Sequence, residues 1–157
     1  MSILPESSRI TPFLWFDNNA AEAVDFYLGI FPGSRKLSEF RSTADTPSGP
    51  KGMVLTVSFD LNGLPFVALN GGPGHPFTDA ISFAVRCETQ QEIDHYWSRL
   101  TEGGTEIQCG WLKDKFGISW QIVPARIGEL LKHPKAMQAM MKMKKLDIAE
   151  LERAAQA

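Results

Sequence analysis

The sequence predicts an α+β fold of paired βαβββ modules followed by a helical C-terminal tail. An apolar run that leads into a helix start signal occurs near the beginning of the chain and again after Asp79. Each copy continues into strand-like segments that are joined by a turn. One helix covers only one face of a sheet, so we expect two such units to enclose their bare faces as a cleft.

The first module begins with the apolar run from Ile10 to Phe16, which is typical of a buried strand. Asn19 is followed three residues later by Glu22, which is the spacing of a capping box, so a helix should begin there. Its apolar positions recur along one helical face until Pro32-Gly33, a pair that ends helices. The strand-like segment from Met53 to Leu69 completes the module.

The second module repeats this plan with a strand from Ile81 to Cys87 and a capping box at Thr89 and Glu92. Its helix is expected to end at Gly103-Gly104. The letters "EAVDFY" in the first helix and "QEIDHY" in the second align without a gap. The segment "CGWLKDKFGISWQIVP" then predicts two strands joined by a tight turn.

The hairpins of the two copies align through an aspartate, a glycine and an aromatic residue: Asp60 with Asp114, Gly63 with Gly117, and Phe66 with Trp120. Asn62-Gly63 is a strong signal for a tight turn, and Lys115-Phe116-Gly117 is a weaker one. We interpret Lys113 and Asp114 as an exposed local pair beside the second turn.

A chain of 157 residues, 43% of them hydrophobic, can bury one core but is short for two ordinary domains. We therefore expect a single domain over residues 8–125, made of modules at 8–72 and 77–125, with a helical extension at 126–157. The glycine-rich segment from Asn70 to Pro76 is interpreted as the linker. Methionines at helical spacing in the extension predict a core or interface stripe, with membrane binding as the less favoured alternative.

Charge and hydropathy narrow the function classes. The chain has 16 basic and 18 acidic residues and a net charge of −2, which does not favour nucleic-acid binding. The first residues lack a basic region followed by an apolar stretch, and no apolar window suits a membrane span, so we expect a cytoplasmic protein. Cys87 and Cys109 are expected to be reduced thiols rather than a disulfide.

Four segments carry a resemblance to a known superfamily: "EAVDFY", "FVALNGG", "ISFAV" and "CGWLKDKFGISWQIVP". Together with the paired βαβββ plan, they resemble the vicinal oxygen chelate superfamily, which includes glyoxalase I, extradiol dioxygenases and the bleomycin- and fosfomycin-resistance proteins. Within it, the chain is similar to the PhnB-like branch, often labelled 3-demethylubiquinone-9 3-methyltransferase-like. The resemblance covers residues 8 to 125 and implies the glyoxalase/bleomycin-resistance/dioxygenase fold.

The resemblance also implies where a metal would bind, because metal enzymes of this superfamily take ligands from equivalent strand positions of both halves. Those positions hold Thr11, Val67, Ala80 or Ser82, and Gln121. A catalytic divalent cation takes about three ligands from imidazole, carboxylate or thiolate groups. Only Gln121 could ligate, so we expect neither a metal nor another cofactor. We interpret Gln121 as a polar group in a metal-free pocket.

Strand parity predicts which side chains line that pocket, since alternate residues share a face. The expected ligand-binding residues are Phe13, Trp15, Asn70, Ser82, Cys109, Trp111 and Gln121. Their mixture of aromatic groups and a few polar groups is usual for a small-molecule site. The alternative is that the aromatic residues belong to the core. We expect Cys109 to share the parity of Trp111. Its thiol is either inert or, because Lys113 is near it in sequence, a nucleophile.

The sequence leaves two function classes open. One is a protein that binds a small molecule, or a metal-free enzyme that acts on a small, partly apolar, oxygen-bearing metabolite. The alternative is a metal-dependent lyase, isomerase or dioxygenase, or a methyltransferase as the branch label suggests, although the sequence lacks the glycine-rich turn of an adenosyl-binding Rossmann-like domain. Catalytic residues do not follow from the sequence. We expect a homodimer, because superfamily members commonly close their sites by pairing two chains.

Overall fold

The computed structural model describes residues 2–157, which divide between His75 and Pro76 into two compact units. Unit 1 contains β1 (Phe13–Phe16), α1 (Ala20–Leu28), β2 (Arg35–Arg41), β3 (Val54–Leu61) and β4 (Leu64–Asn70). Unit 2 contains β5 (Ser82–Cys87), α2 (Gln90–Leu100), β6 (Thr105–Glu106), β7 (Trp111–Lys113), β8 (Ser119–Pro124), α3 (Ile127–Leu130), α4 (Pro134–Met140) and α5 (Ile148–Gln156). The βαβββ plan occurs twice and helices follow it, so the predicted fold class is confirmed.

The sheet of unit 1 has the strand order β1-β4-β3-β2, with β1 parallel to β4 and the other pairs antiparallel. A stack of buried rings joins α1 to one face of this sheet. The ring centroid of Tyr27 lies 6.5 Å from that of Phe59, which lies 5.5 Å from that of Phe66. Aromatic burial of this kind contributes a large share of a core's stability. In the described part of unit 1, no second helix lies on the opposite face, which we call the open face.

The start of α1 differs from the sequence prediction. Asn19 precedes the helix but makes no capping hydrogen bond with its side chain, so the predicted capping box is wrong. Its backbone, at φ −119° and ψ 26°, is not the extended conformation that aims a capping side chain at the first turn. Instead, Asn70 at the end of β4 accepts a 2.9 Å hydrogen bond from Ala20 N. The capping residue predicted for α2 is found, since Thr89 accepts from Glu92 N at 3.2 Å.

The sheet of unit 2 has the order β5-β8-β7-β6, with β5 parallel to β8. One face packs under α2 through Leu112, Trp120 and Ile122, which are all buried. Glu106 belongs to this face as well, because its carboxylate accepts a 2.8 Å hydrogen bond from Trp97 Nε1 on α2. The opposite, open face therefore carries the alternate residues of each strand.

The C-terminal extension packs as part of unit 2. Its helices share a small core made of Leu130, Met143, Leu146 and Leu151. The Gln90 side chain of α2 ties the extension down, donating to Leu146 O at 3.0 Å and accepting from Ile148 N at 2.9 Å. None of the helices formed by residues 2–157 is long and apolar enough to cross a membrane.

Candidate functional site on the open faces of the two sheets

The open face of unit 1 carries an aromatic patch at β1. The register sets Phe13 beside Val67 and Trp15 beside Leu69, all on the face opposite α1. Phe13 is 46% exposed, which is a large fraction for a phenylalanine on a strand. At the other side of this face, Ser58 Oγ donates to the backbone carbonyl of Ile3 at 2.5 Å, so the N-terminal segment lies against β3. The patch at β1 is the apolar part of this face.

Trp15 is held by the glycine-rich segment that follows β4. Its indole Nε1 donates to Gly72 O at 2.9 Å, and its ring lies 4.3 Å from the His75 ring between centroids. The indole packs directly on Gly71, where any Cβ would overlap the ring. The segment predicted as a linker therefore also fixes the orientation of a predicted ligand-binding residue.

Asn70 is buried, and its amide is bonded to backbone on both sides. Its Oδ1 accepts from Ala20 N, and its Nδ2 donates to Val54 O, both at 2.9 Å. These contacts satisfy one donor and one acceptor of the side chain. A role for Asn70 in ligand binding stays a prediction. The two hydrogen bonds of its amide join β4 to the start of α1 and to β3.

The open face of unit 2 brings together three predicted site residues. The register places Trp111 beside Gln121 on neighbouring strands. Gln121 Nε2 donates to Ser82 Oγ on β5 at 3.0 Å. All three side chains are half-buried, so each presents part of its surface for contact. A tryptophan beside a hydrogen-bonded amide and hydroxyl is a mixed apolar and polar surface of the kind that ligand sites use.

Cys109 does not lie on β7 with Trp111, so the expected shared parity is wrong. Trp111 N donates to Gln108 O at 3.1 Å, which closes a four-residue turn around Cys109 and Gly110. Both central residues have positive φ, 61° and 84°, as in a type I′ turn. The Cys109-Gly110 pair was not recognised as a turn because cysteine is uncommon at a left-handed position.

The two thiols differ in accessibility. Cys87 is fully buried, and this burial, with Glu92 and Glu88 nearby, raises its pKa to about 12. Cys109 is half-buried. At about pH 8 we expect a thiol-specific reagent to label Cys109 and spare Cys87, because the Cys87 thiolate becomes populated only near its raised pKa.

Mass spectrometry of the labelled native protein measures this difference. The Cys109→Ser variant should lose the label, and Cys87→Ser should keep it. Labelling of Cys87 in the folded wild-type chain would contradict the assignment.

Asp114 is a structural residue that sequence reasoning misplaced. It was expected in an exposed pair with Lys113, but it is only 3% exposed. Its Oδ1 accepts from Phe116 N at 2.9 Å and from Ile118 N at 3.0 Å, and its Oδ2 accepts from Trp120 Nε1 at 2.9 Å. The expectation is wrong because this aspartate caps its own turn, which is a common use of aspartate. The carboxylate thereby fixes the hairpin that carries Gln121.

The positions at which superfamily members hold a metal do not suit a divalent cation here. The Val67 side chain has no atom that can coordinate a metal, and Thr11 and Ser82 offer neutral hydroxyl groups. Gln121 offers one neutral amide oxygen, and its amide nitrogen is bonded to Ser82. Within residues 2–157, no three His, Cys, Asp or Glu side chains are grouped as metal ligands would be.

Two βαβββ modules with open sheet faces define a protein of the vicinal oxygen chelate superfamily. Within that superfamily, the chain belongs to the PhnB-like family described as 3-demethylubiquinone-9 3-methyltransferase, whose model matches residues 8–123. The resemblance found in the sequence is therefore confirmed. No curated protein matches the chain.

Solved structures share this fold. A "Putative 3-demethylubiquinone-9 3-methyltransferase, PhnB protein" from Bacillus cereus is 35% identical over 75% of this chain and 100% of its own, with a TM-score of 0.67. The fosfomycin resistance protein FosX from Listeria monocytogenes is 18% identical over 82% and 100%, with a TM-score of 0.55. A glyoxylase/bleomycin resistance protein/dioxygenase domain from Frankia sp. EAN1pec is 16% identical over 77% and 94%, with a TM-score of 0.51. At these lower identities, the last two support the fold alone.

Proposed function

We propose that this protein binds a small, partly apolar, oxygen-bearing molecule against the open face of unit 2, with or without metal-free turnover. The observation that carries the proposal is the Gln121–Ser82 hydrogen bond beside Trp111 on the open face of unit 2. The Trp111 ring, beside Gln121 in the register, supplies the apolar contact. A cytoplasmic location is part of the proposal and agrees with two unlinked cysteines.

Gln121→Leu is expected to weaken ligand binding without lowering the melting temperature. The lost hydrogen bond costs roughly 0.5–1.5 kcal/mol, up to about tenfold in affinity. Stability holds because the Ser82 hydroxyl is half-buried and can rotate toward water. Thermal melts and titration with a ligand identified by metabolite screening measure both quantities.

The matched control for this variant is Gln91→Leu, which changes an exposed glutamine on α2 of the same unit. It should leave affinity unchanged. If Gln121→Leu lowers the melting temperature while affinity stays constant, Gln121 is a structural residue and the site lies elsewhere.

We also propose that the protein is a homodimer. Each sheet ends in strands that pair on one side only, β1 and β2 in unit 1 and β5 and β6 in unit 2. The unpaired N–H and C=O groups of such an edge can pair with another chain. Light scattering at micromolar concentration should give the mass of two 17.4 kDa chains. A monomer under these conditions would rule the dimer out.

A further inference from the structure

The open face of unit 2 is positively charged at its strand positions. These positions are Thr105, Trp111, Lys113, Ser82, Ala84, Arg86, Ser119, Gln121 and Val123. They include two cationic side chains and no carboxylate, because Glu106 lies on the α2 face and bonds to Trp97. Neither Lys113 nor Arg86 takes part in the ion pairs formed by residues 2–157. A face with this charge favours an anionic partner.

One row of this face consists of hydrogen-bond donors. The register aligns Thr105 with Lys113, Lys113 with Ser119, and Ser119 with Ser82, across all four strands of the sheet. Side chains in register on neighbouring strands lie about 4.5–5.5 Å apart at Cβ. An ammonium group and three hydroxyl groups are therefore neighbours, with the Gln121 amide next to them along β8.

The hydroxyl at the middle of this row lacks a hydrogen-bond partner among residues 2–157. Ser119 is fully buried, and its Oγ bonds to no atom in that part of the chain. A buried hydroxyl without a partner is unfavourable, and native proteins leave few such groups. An acceptor that arrives from outside the chain would satisfy it.

We propose that the row of Lys113, Ser119 and Ser82 binds an oxyanion, a carboxylate, phosphoryl or sulfonate group, of the small organic ligand. Lys113 supplies the charge, and the two serine hydroxyls donate to the anion's oxygens. Ser82 Oγ accepts from Gln121 Nε2, so its own hydroxyl hydrogen is available to the anion. Because Ser119 is buried, a side chain must move before the anion reaches it. This inference rests on the proposed binding function and names the chemical class of its ligand.

The test compares two fluorescent probes that share one ring system, anilinonaphthalene sulfonate and the neutral N-phenylnaphthylamine. We expect Lys113→Met to weaken binding of the sulfonate about tenfold, as the loss of one charge-assisted hydrogen bond does, and to leave the neutral probe unchanged. Added salt should weaken binding of the sulfonate and leave binding of the neutral probe unchanged. Lys115→Met is the matched control, because Lys115 lies over the Phe116 ring in the adjacent turn.

Ser119→Ala gives a second, independent readout. It removes an unsatisfied buried hydroxyl, so the melting temperature should hold or rise while the sulfonate binds about threefold more weakly. A role confined to structure would not produce these opposite effects. The variant also tests the inference should Lys113→Met fail to fold.

Three results are informative in different ways. A selective loss of the sulfonate in both variants supports the anion site. If the variants weaken binding of both probes equally, or of neither, the anion site is overturned. The proposed binding function still holds in that case, because the protein binds the neutral probe. If wild-type protein binds neither probe, the proposed function fails together with the inference that rests on it.

Discussion

Asp114→Ala is expected to lower the free energy of unfolding by about 3–5 kcal/mol, because it removes the acceptor of three hydrogen bonds that join the turn to β8. The donors are Phe116 N, Ile118 N and Trp120 Nε1, and the carboxylate that serves them is buried. Each unsatisfied buried donor costs about 1–3 kcal/mol. Such a loss is a large part of the stability of an ordinary domain. Urea denaturation of the variant and of wild type measures it.

The internal duplication supplies the control for this experiment. Asp60 holds the aligned position in the first hairpin, where its Oδ1 accepts from Gly63 N at 2.7 Å in an exposed setting. Asp60→Ala should therefore cost only about 0.5–1.5 kcal/mol. If both variants lose the same free energy of unfolding, burial of the Asp114 carboxylate does not determine its contribution to stability.

Gly71→Ala is expected to destabilise unit 1 by about 1–3 kcal/mol, because the new methyl group overlaps the Trp15 indole. The ring must move, and the hydrogen bond from its Nε1 to Gly72 O is lost with it. The cost of the methyl group should disappear when the indole is absent. We therefore expect Gly71→Ala to be nearly neutral in a Trp15→Ala background.

A double-mutant cycle with denaturant unfolding measures this coupling. Gly128→Ala adds a methyl group where nothing lies within 4 Å and serves as the control. If Gly71→Ala costs the same free energy with and without the Trp15 ring, the glycine is required for its backbone and not for the indole.

The repeated fold could be predicted from sequence because its signals are local. The helices and hairpins follow from periodicity, turn residues and capping spacing within short windows. The cap of α1 could not be predicted in this way, because its acceptor, Asn70, lies 50 residues from Ala20. Asn19 has the spacing of a capping residue but makes no capping hydrogen bond with its side chain.

The candidate site was predictable only where strands are regular. Parity placed Gln121, Ser82 and Trp111 on one face, and the structure brings them together. It failed at Cys109, since a turn interrupts the alternation on which parity depends. The burial of Asp114 was also missed, because a charged residue is buried only when its partners are in place, and those partners form with the hairpin.

The ties between the C-terminal extension and unit 2 bear on how the chain matures during synthesis. The turn at Cys109-Gly110 donates to the carbonyls of Met143 and Lys144, both at 2.8 Å. These acceptors are added by the ribosome only after β8 has been made, so these two hydrogen bonds form after the strands of unit 2 have been synthesised. In unit 1, Trp15 is held by Gly72 and His75, which precede unit 2. The order of synthesis thus allows unit 1 to form first, before α3, α4 and α5 add their contacts to unit 2.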